Sequence, residues 1–184
     1  DSASSDFEIL SLMKSALSEI GVDNITIKVN HRGIFNAFLE KLGLSEKSED
    51  VLRIVDKLAK IGEEQVTLQL NEITQDENKS KEILTFIAGK DDFDSTLELI
   101  GSMAGEKANP FVERMKDIRQ MMKASGIDST YVLDPSITRG LDYYTGVVYE
   151  TFLNDLPSIG SVCSGGRYDN LAGLYMKEKI SGVG

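Results

Sequence analysis

Two short stretches carry residue types that do chemistry at close spacing. Arg139, Gly140, Asp142, Tyr143, Tyr144 and Gly146 fall within eight positions. A strand so composed packs poorly as core. It suits the wall of a polar pocket, because glycines admit a ligand to the backbone and tyrosine offers an apolar body with a polar tip. An amphipathic strand with one solvated face is the competing reading. The second stretch is Ser164-Gly165-Gly166-Arg167-Tyr168-Asp169. Paired glycines at a strand end allow positive φ and can turn backbone N–H groups toward a bound group; alternatively they make a tight turn into a helix.

Other reactive types stand alone. His31 is the only histidine and has no visible catalytic or ligating partner, so it is expected on a loop surface. Cys163 is the only cysteine, which excludes an intrachain disulfide and suggests a reducing compartment, the cytoplasm. It reads as a small, partly buried strand residue rather than a nucleophile. Asp91, Asp92 and Asp94 lack the glycine and terminal glutamate of a calcium loop and read as a helix N-terminal cluster. Met115, Met121 and Met122 fit core and surface positions of one helix. No metal site is expected.

The elements that must position these residues follow from hydrophobic period. Asp6 can cap a helix whose apolar stripe is Ile9, Leu10, Met13, Ala16, Leu17 and Ile20, with Gly21 as its stop. Ile25, Ile27 and Val29 alternate with Thr26 and Lys28 as a half-buried strand. Ile34, Phe35, Phe38, Leu39 and Leu42 form the stripe of a second helix before Gly43. Helices are expected over residues 51–61, 63–73, 79–88, 93–103 and 111–125. In the last, Asn109 suits the N-cap and Pro110 the first helical position. After Gly126 the period becomes two. Tyr131 and Leu133 suggest a short strand, Asp134-Pro135-Ser136 a turn, and residues 137–152 a long strand. Residues 160–163 can pair with it, and Asp169 can cap a short helix reaching Tyr175.

Bulk properties bound the reading. The 184 residues are 41% hydrophobic and 27% charged, ordinary for a globular protein, and no apolar run could span a bilayer. The opening residues have neither the basic nor the apolar region of a signal peptide. Net charge is −10, so the surface repels polyanions at long range, and any RNA contact must rest on local groups. Residues 45–128 hold 12 basic and 18 acidic residues and offer no basic groove.

Taken together, "RGLDYYTGVVYE" and "SVCSGGRYDNLAGLY" resemble the two histidine-specific motifs of histidyl-tRNA synthetases, in order and separation. Upstream, "DFEILSLM" and "ITIKVNHRGIFNAFLEKLGL" resemble the helix, strand and helix that follow motif 2 of that family. The resemblance implies an α+β fold: part of a class II synthetase antiparallel-sheet core with an inserted all-helical domain. The expected division is 1–44 for the first core segment, 45–128 for the helical insertion, and 129–184 for the core segment with the histidine motifs. Over the insertion there is no residue-level match.

The resemblance implies an aminoacyl-tRNA ligase that forms histidyl-adenylate from histidine and ATP, with Mg2+, and transfers the histidyl group to its tRNA. Arg139 matches the arginine that contacts the α-phosphate and histidine carboxylate, a role that suits a permanently charged fork donor. Tyr143 and Tyr144 match the histidine-binding tyrosines, with Tyr144 nearer the imidazole, and Tyr168 matches a third. Gly165 and Gly166 would allow close backbone approach. Arg139 and Tyr144 have opposite parity, so on a straight strand they would face opposite ways. Either Arg139 precedes the regular strand or Gly140 introduces a bulge. Lys116, Arg119 and Lys123 share one side of the 111–125 helix and are candidate tRNA contacts.

By the resemblance, motifs 1 and 2 are expected outside this stretch, and Gly182-Val183-Gly184 is expected to be the approach to motif 3. The parent is expected to be a homodimer, and this stretch alone to be inactive. Two alternatives stand beside this reading. One is the regulatory subunit of ATP phosphoribosyltransferase, a non-catalytic paralogue that tends to lose the Arg139 equivalent. The other is an acidic helical interaction module, which leaves residues 139–168 unexplained.

Overall fold

The computed structural model describes residues 2–137, 143–175, 177 and 180–184. The first helix, α1, runs Ala3–Glu19. Its N-cap is Ser2, whose side chain accepts from the Ser5 amide. Asp6 therefore does not cap it. One turn in, Asp6 is turned inward and buried. Strand β1 (Ile25–His31) and helix α2 (Arg32–Lys41) follow without a loop, because the last strand residue is also the helix N-cap.

Five helices come next: α3 (Ser48–Val55), α4 (Leu58–Thr74), α5 (Glu77–Ala88), α6 (Phe93–Ala104) and α7 (Asn109–Ala124). The helix expected over 51–61 is split. It stops at Val55, and α4 starts at Leu58 and kinks at Gly62 (φ 79°, ψ 165°), a conformation that glycine adopts without a Cβ penalty. The cap of α7 is Ala108, with Asn109 already helical and Pro110 in the first turn. Asp92 caps α6 through the Ser95 amide, as a helix N-terminal cluster should.

Strands β2 (Tyr131–Leu133), β3 (Val147–Leu153) and β4 (Ser161–Gly166) complete a sheet in the order β2-β1-β3-β4. β3 runs antiparallel to both neighbours, with Val29 opposite Tyr149 and Tyr149 opposite Gly165. The β1–β2 pair is parallel, so the expected antiparallel sheet is mixed at this edge. A parallel pair needs a crossover, and everything from α2 through α7 supplies it.

Of the strand expected over 137–152, residues 138–142, with the Arg139 and Gly140 alternatives, lie outside the described residues; residues 143–146 are irregular and β3 starts at Val147. Neither Tyr143 nor Tyr144 lies on the regular strand, so parity along a straight strand does not govern Tyr144. β4 continues to Gly166 rather than ending at Cys163. The short helix after it is a single turn, Ala172–Leu174, with no side-chain cap, because Asp169 is engaged elsewhere.

The buried apolar residues of the sheet, α1, α2 and α3 through α7 form one cluster. Phe86 of α5 stacks on Phe38 of α2 at 4.4 Å between ring centres and meets Phe35 edge-on at 5.3 Å. The residues of 45–128 are thus fastened to the sheet's flanking helix by aromatic packing. Among the described residues no helix is long and apolar enough to cross a membrane.

Candidate functional site

The structure gathers three of the expected tyrosines at the end of β3 and β4. Ring centres of Tyr143 and Tyr144 lie 4.7 Å apart, and Tyr168 stands 6.2 Å from the first and 6.5 Å from the second. Burial pushes the Tyr144 hydroxyl up to about 12, helped by its hydrogen bond with Tyr143 and by the neighbouring phenols. It stays neutral at physiological pH and can both donate and accept. Arg139, the fourth expected pocket residue, lies outside the described residues.

Gly165 and Gly166 serve this cluster through space rather than through positive φ. Neither is among the glycines with left-handed backbone. A β-carbon on Gly166 would stand 2.7 Å from the Val147 carbonyl oxygen and 2.9 Å from the Tyr144 ring. One on Gly165 would run into the Gly184 carbonyl oxygen and lie 2.6 Å from the Tyr149 hydroxyl. The Gly166 amide is not turned to a ligand, because it donates to Gly184 O at 2.9 Å. Tyr168 N donates to Gly182 O at 2.8 Å, so residues 182–184 run alongside the end of β4 and hold Tyr168 in place.

Several residues that hold the cluster were not among the expected site residues. Thr145 donates its amide to Arg167 O at 2.8 Å and its hydroxyl to Asp169 Oδ2 at 3.0 Å. Arg167 is buried, and its Nη1 donates to Asp169 Oδ1 at 3.0 Å. Burial works against its charge, but the hydrogen bond to Asp169 and the carboxylate of Asp6 outweigh it and raise its pKa. Burial likewise opposes ionisation of Asp169, yet hydrogen bonds from Arg167 and Thr145 hold its pKa below the usual range. Tyr149 is buried opposite Gly165, and its hydroxyl has no hydrogen-bond partner among the described residues. A period-two pattern marks Tyr149 as a strand residue and says nothing of the hydroxyl.

His31 is buried, not on a loop surface. As the N-cap of α2 its Nδ1 accepts from the Gly33 amide at 3.0 Å, and its ring stacks on Phe111 of α7 at 5.0 Å. Burial, then the charges of Arg114 and Arg167, lower its pKa to about 3, so it is a neutral structural ring. Cys163 is half-buried on β4 with Sγ 3.4 Å from Met13 Sδ.

Lys116, Arg119 and Lys123, three of the four basic residues of α7, each face an acid. Lys116 Nζ lies 2.8 Å from Glu113, and Lys123 Nζ lies 2.7 Å from Asp94. Arg119 sits 4.8 Å over the Phe93 ring and donates to Asp128 O at 3.0 Å, so it also ties α7 to α6 and to the turn before β2. Beside α7, Gly33, Asn36, Glu40, Lys107, Phe111 and Thr145 line a cleft of about 650 Å³. Met115 and Met122 are fully buried and Met121 partly so.

The family model described as histidyl-tRNA synthetase matches residues 1–184. The chain is 60% identical to the histidine–tRNA ligase of Treponema denticola, covering 100% of this chain and 42% of that protein. With the Treponema pallidum enzyme it is 47% identical over the same shares. A crystal structure of histidyl-tRNA synthetase from a Nostoc species superposes with a TM-score of 0.92 at 30% identity, over 100% of this chain and 44% of that one. A Bacillus halodurans structure, described as an ATP phosphoribosyltransferase regulatory subunit/histidyl-tRNA synthetase, superposes at 0.83 and 22% identity over 98% and 46%, a likeness of fold alone. The chain spans less than half the length of these relatives.

Proposed function

Because the chain belongs to the histidyl-tRNA synthetase family, we propose that it forms one side of the histidine pocket of a histidine–tRNA ligase, with the helical insertion beside it. The observation that carries this reading is the mutual packing of the Tyr143, Tyr144 and Tyr168 rings, with Tyr144 seated against Gly166. It presents hydroxyls on apolar rings, suited to the edge of an imidazole. In the proposed reaction the histidine carboxylate oxygen attacks the α-phosphorus of ATP and pyrophosphate leaves. A hydroxyl of the tRNA's terminal adenosine then takes the histidyl group and AMP leaves.

Arg139 faces the α-phosphate and the histidine carboxylate in this reading, gripping two oxygens as a fork. Among the described residues no group of three His, Cys, Asp or Glu side chains stands close enough to hold a metal ion. Mg2+ would enter together with ATP. Residues 1–44 and 129–184 act as catalytic core and 45–128 as the insertion that meets tRNA, with Lys116, Arg119 and Lys123 as its candidate contacts. The parent enzyme works as a homodimer in the cytoplasm.

The full-length protein is expected to exchange pyrophosphate into ATP only when histidine is present. Arg139→Ala should slow that exchange by about 10²–10³, the usual loss for one preorganised donor to developing charge. Arg139→Lys should not restore it, because a point charge cannot replace the fork. Histidine-independent exchange, or none from the intact protein, would sink the proposal. A non-catalytic regulatory subunit would give none.

A further inference from the structure

One buried carboxylate joins the insertion to the tyrosine cluster. Asp6, on the first turn of α1, is 1% exposed. Its Oδ2 accepts from Arg114 Nε at 2.6 Å, and its Oδ1 accepts from Arg167 Nε at 2.8 Å. Arg114 belongs to α7, the last helix of the insertion, and its Nη2 also donates to Ser2 O at 3.0 Å. Arg167 lies between Gly166 and Tyr168. From there the bonds continue to Asp169 and to Thr145, the residue after Tyr144. Gly146 completes the fit, since a β-carbon there would come within 2.8 Å of the Arg167 side chain.

A carboxylate gripped on each oxygen by a different guanidinium has little orientational freedom, because charge-assisted bonds are short and directional. Whatever fixes Asp6 also fixes Arg167, and with it Tyr168 on one side and Thr145–Tyr144 on the other. We propose that Asp6 is a positioning residue for the histidine pocket, and that Arg114 makes the insertion's last helix part of the same support. Contact between the insertion and tRNA then bears on histidine affinity through the Arg114–Asp6–Arg167 relay. This rests on the histidine–tRNA ligase reading.

The test uses the full-length enzyme and follows KM for histidine and for ATP separately in pyrophosphate exchange. Asp6→Asn keeps the shape but loses the charge, and should raise the histidine KM about tenfold while the ATP KM stays within about twofold. Arg114 has a side chain 21% exposed, so Arg114→Gln reports on the relay even where Asp6→Asn impairs folding. It should raise the histidine KM by about threefold to tenfold, and Arg114→Lys should recover part of that loss by retaining one charged donor. Combining Arg114→Gln with Asp6→Asn should cost far less than the product of the two single effects, as residues in one network do. Equal rises in both KM values, or a histidine KM within about twofold of wild type for Arg114→Gln, would overturn the relay. Wild-type enzyme without histidine-dependent exchange would instead overturn the ligase reading itself.

Discussion

The Tyr144 ring occupies the place a side chain at Gly166 would need: a β-carbon there would lie 2.9 Å from the ring and 2.7 Å from the Val147 carbonyl. The two residues sit 22 positions apart in sequence, on separate segments joined across β3 and β4. The absence of a side chain on one is what seats the aromatic ring of the other. Backbone on one side and an inward-held ring on the other leave Gly166 no direction in which to grow.

Gly166→Ala should therefore push Tyr144 out of register while leaving the rest of the sheet paired. Overpacking of this kind costs about 1–3 kcal/mol where the neighbour is backbone and cannot yield. The full-length enzyme is expected to show a histidine KM raised by about tenfold or more, with the ATP KM little changed. Gly173→Ala, where nothing lies within 4 Å, is the control and should behave as wild type. An unchanged histidine KM for Gly166→Ala would mean that Tyr144 is not seated by that glycine.

Helix and strand identities were legible where the period was long and the stop residue clear, as in α1, β1, α2, α5, α6 and α7. The splitting of residues 51–61 was not, because its apolar stripe runs on through the break at Asp56 and Lys57, where no glycine or proline marks a stop. At the candidate site, type and family motif anticipated that the tyrosines and glycines would come together. Asp6 and His31 were not. An acid near a helix start reads as a cap, and a lone histidine between two elements reads as surface. Their actual partners, Arg114, Arg167 and Phe111, lie 80 or more positions away. Local patterns cannot report pairings of that separation.

His31 gives a prediction about acid sensitivity. Its folded pKa of about 3 lies below the ordinary 6.5, so the unfolded chain binds the proton first as pH falls. Stability associated with the neutral ring is complete above about pH 6.5 and is lost progressively down to about pH 3. Between pH 7 and pH 5 that loss is about 2 kcal/mol. His31→Asn keeps an oxygen able to accept from the Gly33 amide and cannot titrate, though it gives up the ring contact with Phe111, worth about 0.5–1.5 kcal/mol. The variant should be less stable at pH 7.5 and lose less of its thermal midpoint on moving to pH 5. Parallel curves for the two proteins would show that His31 does not drive the acid response.

The basic side of α7 separates stability from RNA contact. Cutting out residues 45–128 would remove Phe86 from Phe38 and Arg114 from Asp6, so point variants are the cleaner test. Arg119 is half-buried over Phe93 and bonded to Asp128 O, and Arg119→Ala should lower stability by about 1–2 kcal/mol through lost packing and hydrogen bonding. Lys116 and Lys123 are exposed, and their ion pairs with Glu113 and Asp94 contribute at most about 1 kcal/mol. Replacing both lysines with alanine should leave the melting temperature and histidine-dependent exchange nearly unchanged. Because a phosphate would have to compete with Glu113 and Asp94 for these lysines, the loss of tRNA affinity should be modest. Each phosphate contact removed should flatten the dependence of log affinity on log salt by about 0.7–0.9. An unchanged slope and affinity would leave the two lysines as a solvated side of the helix.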